Sequence, residues 1–220
     1  MKCMSYIENT TDVFPQITKI DYNRIHVICD VDNVLNNLTE AVVNRINYDF
    51  NMNHNFKNMT NYAFWECINI KKDSMYFLYF RNPLLWKTVD VLNIDMSSVE
   101  FIDILNGICN LSFVSACTVD IGMYRSEFMH KNFPQIPEES INYMHDKTII
   151  TCDILIDDYF GNFNGDNYKK GILLTQPWNE RIDISSKPNV VRVSTFAEII
   201  EIIKEYSRIK NKTKLDYILL

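Results

Sequence analysis

Asp30 and Asp32 stand two residues apart, just past the short apolar run 27–29. Three further groups follow at the ends of apolar runs: Ser115 closes 111–115, Lys147 belongs to 147–150, and Asp157 and Asp158 close 153–158. Acids at the end of a buried run are costly unless a cation meets them. Several carboxylates with a serine and a lysine, and no histidine or cysteine pattern beside them, suit a hard, oxygen-seeking ion such as Mg²⁺. One lysine and one hydroxyl suit the oxygens of a phosphate. One aspartate as nucleophile and a second as acid and base would split phosphoryl transfer into two steps. A metal would screen the repulsion between an anionic nucleophile and an anionic phosphate. Each signal alone is common, and a D-x-D after an apolar run is equally a solvated strand end with an acid beside a helix start.

The elements that must bring these groups together alternate along the chain. The run 27–29 reads as a buried parallel strand, whose C-terminal end is where open α/β sheets place ligands. Leu38, Val42, Val43 and Ile46 give one apolar helical face. Ser97-x-x-Glu100 is a capping box ahead of a helix over about 98–109. The run 111–115 reads as a strand, and a helix carrying Phe128, Met129 and Phe133 runs to Pro134. The runs 147–150, 153–158, 171–175 and 190–193 read as further strands, with a Gly- and Asn-rich loop over 159–170. A second capping box at Thr195 and Glu198 opens a helix. Residues 1–22 read as irregular, and the pattern places nothing at 209–220. These alternating elements predict an α/β three-layer sandwich with a parallel, Rossmann-like sheet. Residues 48–95 differ: they are rich in Asn and aromatics and are broken at Pro83. They predict a small, mostly helical cap inserted after the first strand–helix unit, with residues 1–47 and 96–220 forming the core. Its rings are either ordinary packing or a lid over a planar base.

Composition narrows the classes. The 220 residues include 47% hydrophobic and 13% aromatic residues, enough for a packed core. The formal net charge is −6. With no clustered basic run, a nucleic-acid polymer is a poor partner. Six cysteines include no C-x-x-C, which argues against a zinc ribbon. The first residues lack a signal-peptide core, and no run reaches the roughly 18 apolar residues of a membrane span. These features predict a soluble cytoplasmic protein. A homodimer is left open.

The order D-x-D-x-V at 30–34, Ser115, Lys147 and Asp157-Asp158 resembles the haloacid dehalogenase superfamily of phosphatases. His145-Asp146-Lys147-Thr148, the acidic pair, and the run through Thr175-Gln-Pro-Trp-Asn179 to Arg181 resemble the 5'(3')-deoxyribonucleotidase family over about residues 24–205. The resemblance implies a Mg²⁺-dependent phosphatase acting on (deoxy)nucleoside 5'-monophosphates. By it, Asp30 is the nucleophile and Asp32 the acid and base. Asp30, the carbonyl of Asp32, and Asp158 hold the metal. Ser115 and Lys147 bind the phosphoryl group, and Asp157 supports Lys147 or a metal-bound water. Phe64, Trp65 and Phe80 become candidates for nucleobase contact. Asn33 stands where relatives usually have Gly, Ala116 where they often have a hydroxyl, and Leu38 where some have an aromatic ring. Arg125 stands where a second Lys often lies and reads either as cationic support or, the favoured reading, as a solvated helix position.

Other classes weigh less. A phosphatase of another small phosphoester shares every motif. A receiver-type signalling domain has its acidic pair early in the chain, whereas here it comes late. A D-x-D nucleotide-sugar transferase has no use for Lys147 or Asp157-Asp158. A non-catalytic nucleotide-binding relative is disfavoured because both Asp30 and Asp32 are present.

Overall fold

The computed structural model describes residues 24–165 and 167–218. Six strands form one sheet: β1 (His26–Asp30), β2 (Asn110–Ser115), β3 (Ile141–Tyr143), β4 (Cys152–Asp157), β5 (Tyr168–Leu174) and β6 (Val190–Val193), in the order β3-β2-β1-β4-β5-β6. All neighbouring pairs are parallel. The central strand β1 has four consecutive buried residues, as a strand covered on both faces must. The chain runs outward from β1 to β3, then returns to β1's other side at β4. Ligands of open α/β sheets bind beside such a reversal, outside the strand C-termini.

Four long helices cover the sheet: α1 (Leu38–Phe50), α2 (Ser98–Ile108), α3 (Val119–Asn132) and α4 (Phe196–Ile218). The serine half of the capping box before α2 is in place, with Ser97 Oγ accepting from the Glu100 amide at 3.2 Å. Glu198 caps α4 by accepting from the amides of Ser194 and Thr195 at 2.8 and 2.9 Å. Phe101 of α2 and Phe196 of α4 are fully buried and stack at 4.3 Å, joining two helices distant in sequence. Among the described residues no helix is long and apolar enough to cross a membrane.

Between α1 and α2 the chain forms only short turns of helix: Phe56–Asn58, Phe64–Cys67, Lys72–Met75, Tyr76–Phe80 and Pro83–Trp86. The turn Tyr76–Phe80 is a π-helix. Pro83 opens the last of these turns rather than only interrupting the segment, because its missing N–H falls at a position with no helical partner. Met59, Phe64, Ile68, Met75 and Tyr79 of this segment join the same apolar cluster as α1 and the sheet.

Two local expectations are corrected. Residues 147–150 are not a strand; Lys147–Ile149 is a single 3₁₀ turn, capped by Asp146, whose Oδ1 accepts from the amide and hydroxyl of Thr148. The strand on that side is β3, only three residues long and mostly exposed, which no apolar run marked in the sequence. The loop 159–170 holds a 3₁₀ turn, Phe160–Asn164, and β5 already begins at Tyr168. The stretch from 209 continues α4 as far as Ile218. The reading of residues 1–22 lies outside the described residues.

The loop after β1 depends on Asn33, whose φ is +60°. Asparagine enters this left-handed region more readily than most residues, which lets it stand where relatives have glycine. Its Oδ1 accepts from the Thr39 amide at 2.9 Å, its amide donates to Asn36 Oδ1 at 3.0 Å, and its carbonyl accepts from Gln176 Nε2 at 2.7 Å. An Asn33→Ala variant should lose about 2 kcal/mol from left-handed strain and the lost bond. Asn33→Gly, which keeps the conformation, should lose about 1 kcal/mol or less, and urea denaturation of the pair will read the difference.

Candidate active site

Parallel strands put their C-terminal residues along one edge. Asp30 ends β1, Ser115 ends β2 and Asp157 ends β4. Asp32 and Asp158 lie in the loops that follow β1 and β4. Lys147 comes from the 3₁₀ turn between β3 and β4, which turns the side chain inward. Asp30, Ser115, Lys147, Asp157 and Asp158 are each no more than 6% exposed. The six polar residues expected from the sequence therefore meet at one end of the sheet.

Two ion-paired groups make up the site. In the first, Lys147 Nζ lies 2.6 Å from Asp30 Oδ1 and 3.0 Å from Asp157 Oδ2. Burial pushes the Asp30 carboxyl up to about 7, against the pull of Lys147. Burial by itself would lower the Lys147 ammonium, but Asp157 and Asp30 outweigh it and hold it above its usual range. Asp157 is heavily engaged: its Oδ2 also accepts from Asn162 Nδ2 at 2.9 Å, and its Oδ1 accepts from the Tyr159 amide at 2.9 Å. Asp157 thus orients Lys147 and has little left to offer a ligand.

Asp158 is the opposite case. Its backbone carbonyl accepts from Trp178 Nε1 at 3.2 Å and Asn179 Nδ2 at 2.8 Å, which pins the loop. Its side-chain Oδ2 is buried with no hydrogen-bond partner among the described residues. Burial, then Asp30 and Asp157, push its carboxyl well above the usual range. One carboxylate oxygen from each of Asp30, Asp157 and Asp158 can come within 4.8 Å of the others. An unpartnered buried carboxylate oxygen beside a second carboxylate, with only oxygen donors around, fits a hard divalent cation. Asp30 and Asp158 are the acids with free capacity to hold one.

The second group is built on Asp32. Its Oδ2 accepts from Arg125 Nε at 2.7 Å, from Arg125 Nη2, and from Ser115 Oγ at 3.3 Å. Its Oδ1 accepts from Asn36 Nδ2 at 3.1 Å. Arg125 is 5% exposed, so its reading as a solvated helix position is corrected. The signal was present in the pattern: Ile121, Gly122, Phe128 and Met129 are the other buried positions of α3, and Arg125 lies on their stripe. An arginine there is buried unless α3 turns away from the sheet. Its partner could not be read from spacing, since Asp32 is 93 residues away.

The segment between α1 and α2 reaches this edge at three places. Trp86 lays its ring 5.0 Å from the Arg125 guanidinium and stacks on Tyr124. The Tyr76 hydroxyl is 2.6 Å from Thr118 Oγ1 and 3.0 Å from Asp120 Oδ1, and Arg81 pairs with Asp120 at 2.6 Å. Tyr62 stacks on Tyr159, the residue after Asp158, with ring centroids 4.0 Å apart. Of the three rings expected to meet a nucleobase, Phe64 is 4% exposed and packs edge-on to both Trp65 and Phe80 inside the segment.

Comparison with known proteins agrees with this architecture. The family model described as 5' nucleotidase, deoxy (pyrimidine), cytosolic type C protein matches residues 23–210. No curated protein matches the chain. A haloacid dehalogenase-like family hydrolase of Streptococcus pneumoniae shares the fold with a TM-score of 0.56 at 13% identity, covering 82% of this chain and 98% of that one. The HAD-hydrolase YfnB of Bacillus subtilis, solved bound to magnesium, does so with a TM-score of 0.51 at 12% identity, covering 82% and 98%. The family match runs from the start of β1 through the acidic edge and into α4, so the chain, whose fold is HAD-like, belongs to the 5' nucleotidase, deoxy (pyrimidine), cytosolic type C family and is a phosphatase of the 5'-nucleotidase type.

Proposed function

We propose that this protein hydrolyses (deoxy)nucleoside 5'-monophosphates in a Mg²⁺-dependent reaction through an aspartyl phosphate on Asp30. The observation that carries this reading is the pairing of a buried Asp30–Lys147 contact with an unpartnered Asp158 oxygen at the same strand edge. Asp30, the carbonyl of Asp32, and Asp158 would hold the ion. When bound, Mg²⁺ would neutralise charge on the acids and on the phosphoryl oxygens.

The chain's own groups divide the remaining work. An Asp30 carboxylate oxygen bonds to phosphorus as the bond from phosphorus to the substrate's 5'-oxygen breaks. The departing oxygen takes a proton from Asp32, which acquires that proton from the substrate's phosphate monoanion on binding. Asp32 then removes a proton from water, whose oxygen bonds to phosphorus. The acyl phosphate bond breaks, releasing inorganic phosphate and restoring Asp30. Lys147 and Ser115 take the phosphoryl oxygens. Arg125 and Asn36 hold the Asp32 carboxylate in place. The segment over about 48–95 acts as the cap that keeps bulk solvent out while leaving room for the one water that Asp32 activates.

Phosphate release should be seen from nucleoside 5'-monophosphates with Mg²⁺ and be lost with EDTA; preference for sugar phosphates over every nucleotide would select the other phosphoester reading. Asp30→Asn should lower turnover by roughly 10⁴-fold or more. Its thermal midpoint should be no lower than wild type, because a buried charge is replaced by a neutral isostere; residual full activity would remove Asp30 as nucleophile. Arg125→Gln strands the Asp32 charge and should cost about 3 kcal/mol in denaturant unfolding, with Arg125→Lys falling in between.

A further inference from the structure

The carboxylate of Asp32 is gripped unevenly. Its Oδ2 takes three donors: Arg125 Nε at 2.7 Å, Arg125 Nη2, and Ser115 Oγ at 3.3 Å. Its Oδ1 takes one, Asn36 Nδ2 at 3.1 Å. An oxygen crowded by donors has no lone pair left for a proton, so a proton on Asp32 sits at Oδ1. The placing of the Arg125 fork thus decides which oxygen of Asp32 can give and take protons, and where it points.

Arg125 has few polar anchors of its own. Both of its bonds in the site go to one oxygen of Asp32, and its Nη1 makes no hydrogen bond among the described residues. The Trp86 ring supplies what these bonds do not. Its centroid lies 5.0 Å from the guanidinium carbon, within cation–π range, and both groups are shut off from water. The tilt of the ring is fixed from two sides. Its Nε1 donates to the Phe80 carbonyl at 2.8 Å, and its plane stacks on Tyr124 at 5.9 Å and 15°. Tyr124 and Arg125 are consecutive on α3, so one ring from the segment between α1 and α2 meets two adjacent residues of the core. An unbroken set of contacts runs from the Phe80 carbonyl through Trp86 and Arg125 to Asp32.

We infer that Trp86 is a positioning residue: it holds the Arg125 fork on Asp32 Oδ2 and so aims Oδ1 at the oxygen that departs from phosphorus. This rests on the reading above, in which Asp32 protonates that oxygen. Two substrates that differ in one atom test it: a nucleoside 5'-monophosphate, and its analogue with sulfur in place of the bridging 5'-oxygen. The alkoxide needs the proton of Asp32 to leave, whereas the thiolate leaves as a stable anion. The constant kcat/KM reads no step after the leaving group departs. A catalytic group misplaced by about 1 Å costs on the order of 100-fold, so Trp86→Leu should lower kcat/KM for the oxygen substrate about tenfold or more, and for the sulfur analogue by about threefold or less. Trp86→Phe, which keeps a smaller ring over Arg125, should fall in between, and it repeats the comparison if the leucine variant does not fold. Base and sugar are the same in both substrates, so a lost substrate contact or a loosened fold lowers both equally. Equal falls would therefore overturn the inference, as would no fall for either. Asp32→Asn sets the scale and should cost the oxygen substrate roughly 100-fold more than the sulfur analogue. Equal losses in that variant would sink the acid role of Asp32 rather than the role of Trp86, and wild-type protein that turns over neither substrate would sink the nucleotidase reading itself.

Discussion

The structure depends on an uneven balance of charge at one edge of the sheet. Four carboxylates, Asp30, Asp32, Asp157 and Asp158, face two cations, Lys147 and Arg125. Fully ionised, the group lacks two positive charges while nearly all of it is shut off from water. Such a group has two ways to persist: it takes up protons, or it takes up a divalent cation. The raised carboxyls of Asp30 and Asp158 are the first response. The unpartnered oxygen of Asp158 is where the second would act.

Everything around this edge limits its freedom. Lys147 is held between two acids, so it cannot swing away to solvent. Asp157 spends both oxygens on Lys147, Asn162 and a backbone amide, which makes it a scaffold for its neighbour Asp158. Asn179 ties the Asp158 carbonyl to the Leu174 carbonyl at the end of β5. Gln176 reaches from the same loop to the carbonyl of Asn33. The loops after β1, β4 and β5 are thereby cross-braced by side-chain amides. Neutral donors suit this work, since they brace acids without adding to the crowding of charge.

The segment between α1 and α2 meets the edge on both flanks. Near α3 it contributes a polar latch, Tyr76 and Arg81 on Thr118 and Asp120, and the Trp86 ring over Arg125. Near Asp158 it contributes Tyr62. Its shared apolar cluster with α1 and the sheet explains why such short helical turns hold together, since isolated turns of four or five residues are unstable.

Local pattern alone was enough for the buried strand β1, the caps of α2 and α4, and the acids at strand ends, because each follows from residue type and short spacing. A parallel sheet then forces strand-end residues onto one edge, so the meeting of Asp30, Ser115 and Asp157 was also legible. Other features were hidden for a common reason. Residues 147–150 look like a strand by β-branching, yet Asp146 caps them into a turn and Lys147 is pulled inward by acids on two other strands. Arg125 lies on a buried stripe, but its partner is fixed only when α3 packs beside the loop after β1. Tyr62 and Phe64 are indistinguishable in composition, and only packing decides which is buried and which stacks on Tyr159. Residue types and short spacing determined the chemistry available to this chain; long-range packing decided which groups neutralise one another, because charge pairing depends on distance in space and sequence separation does not record it.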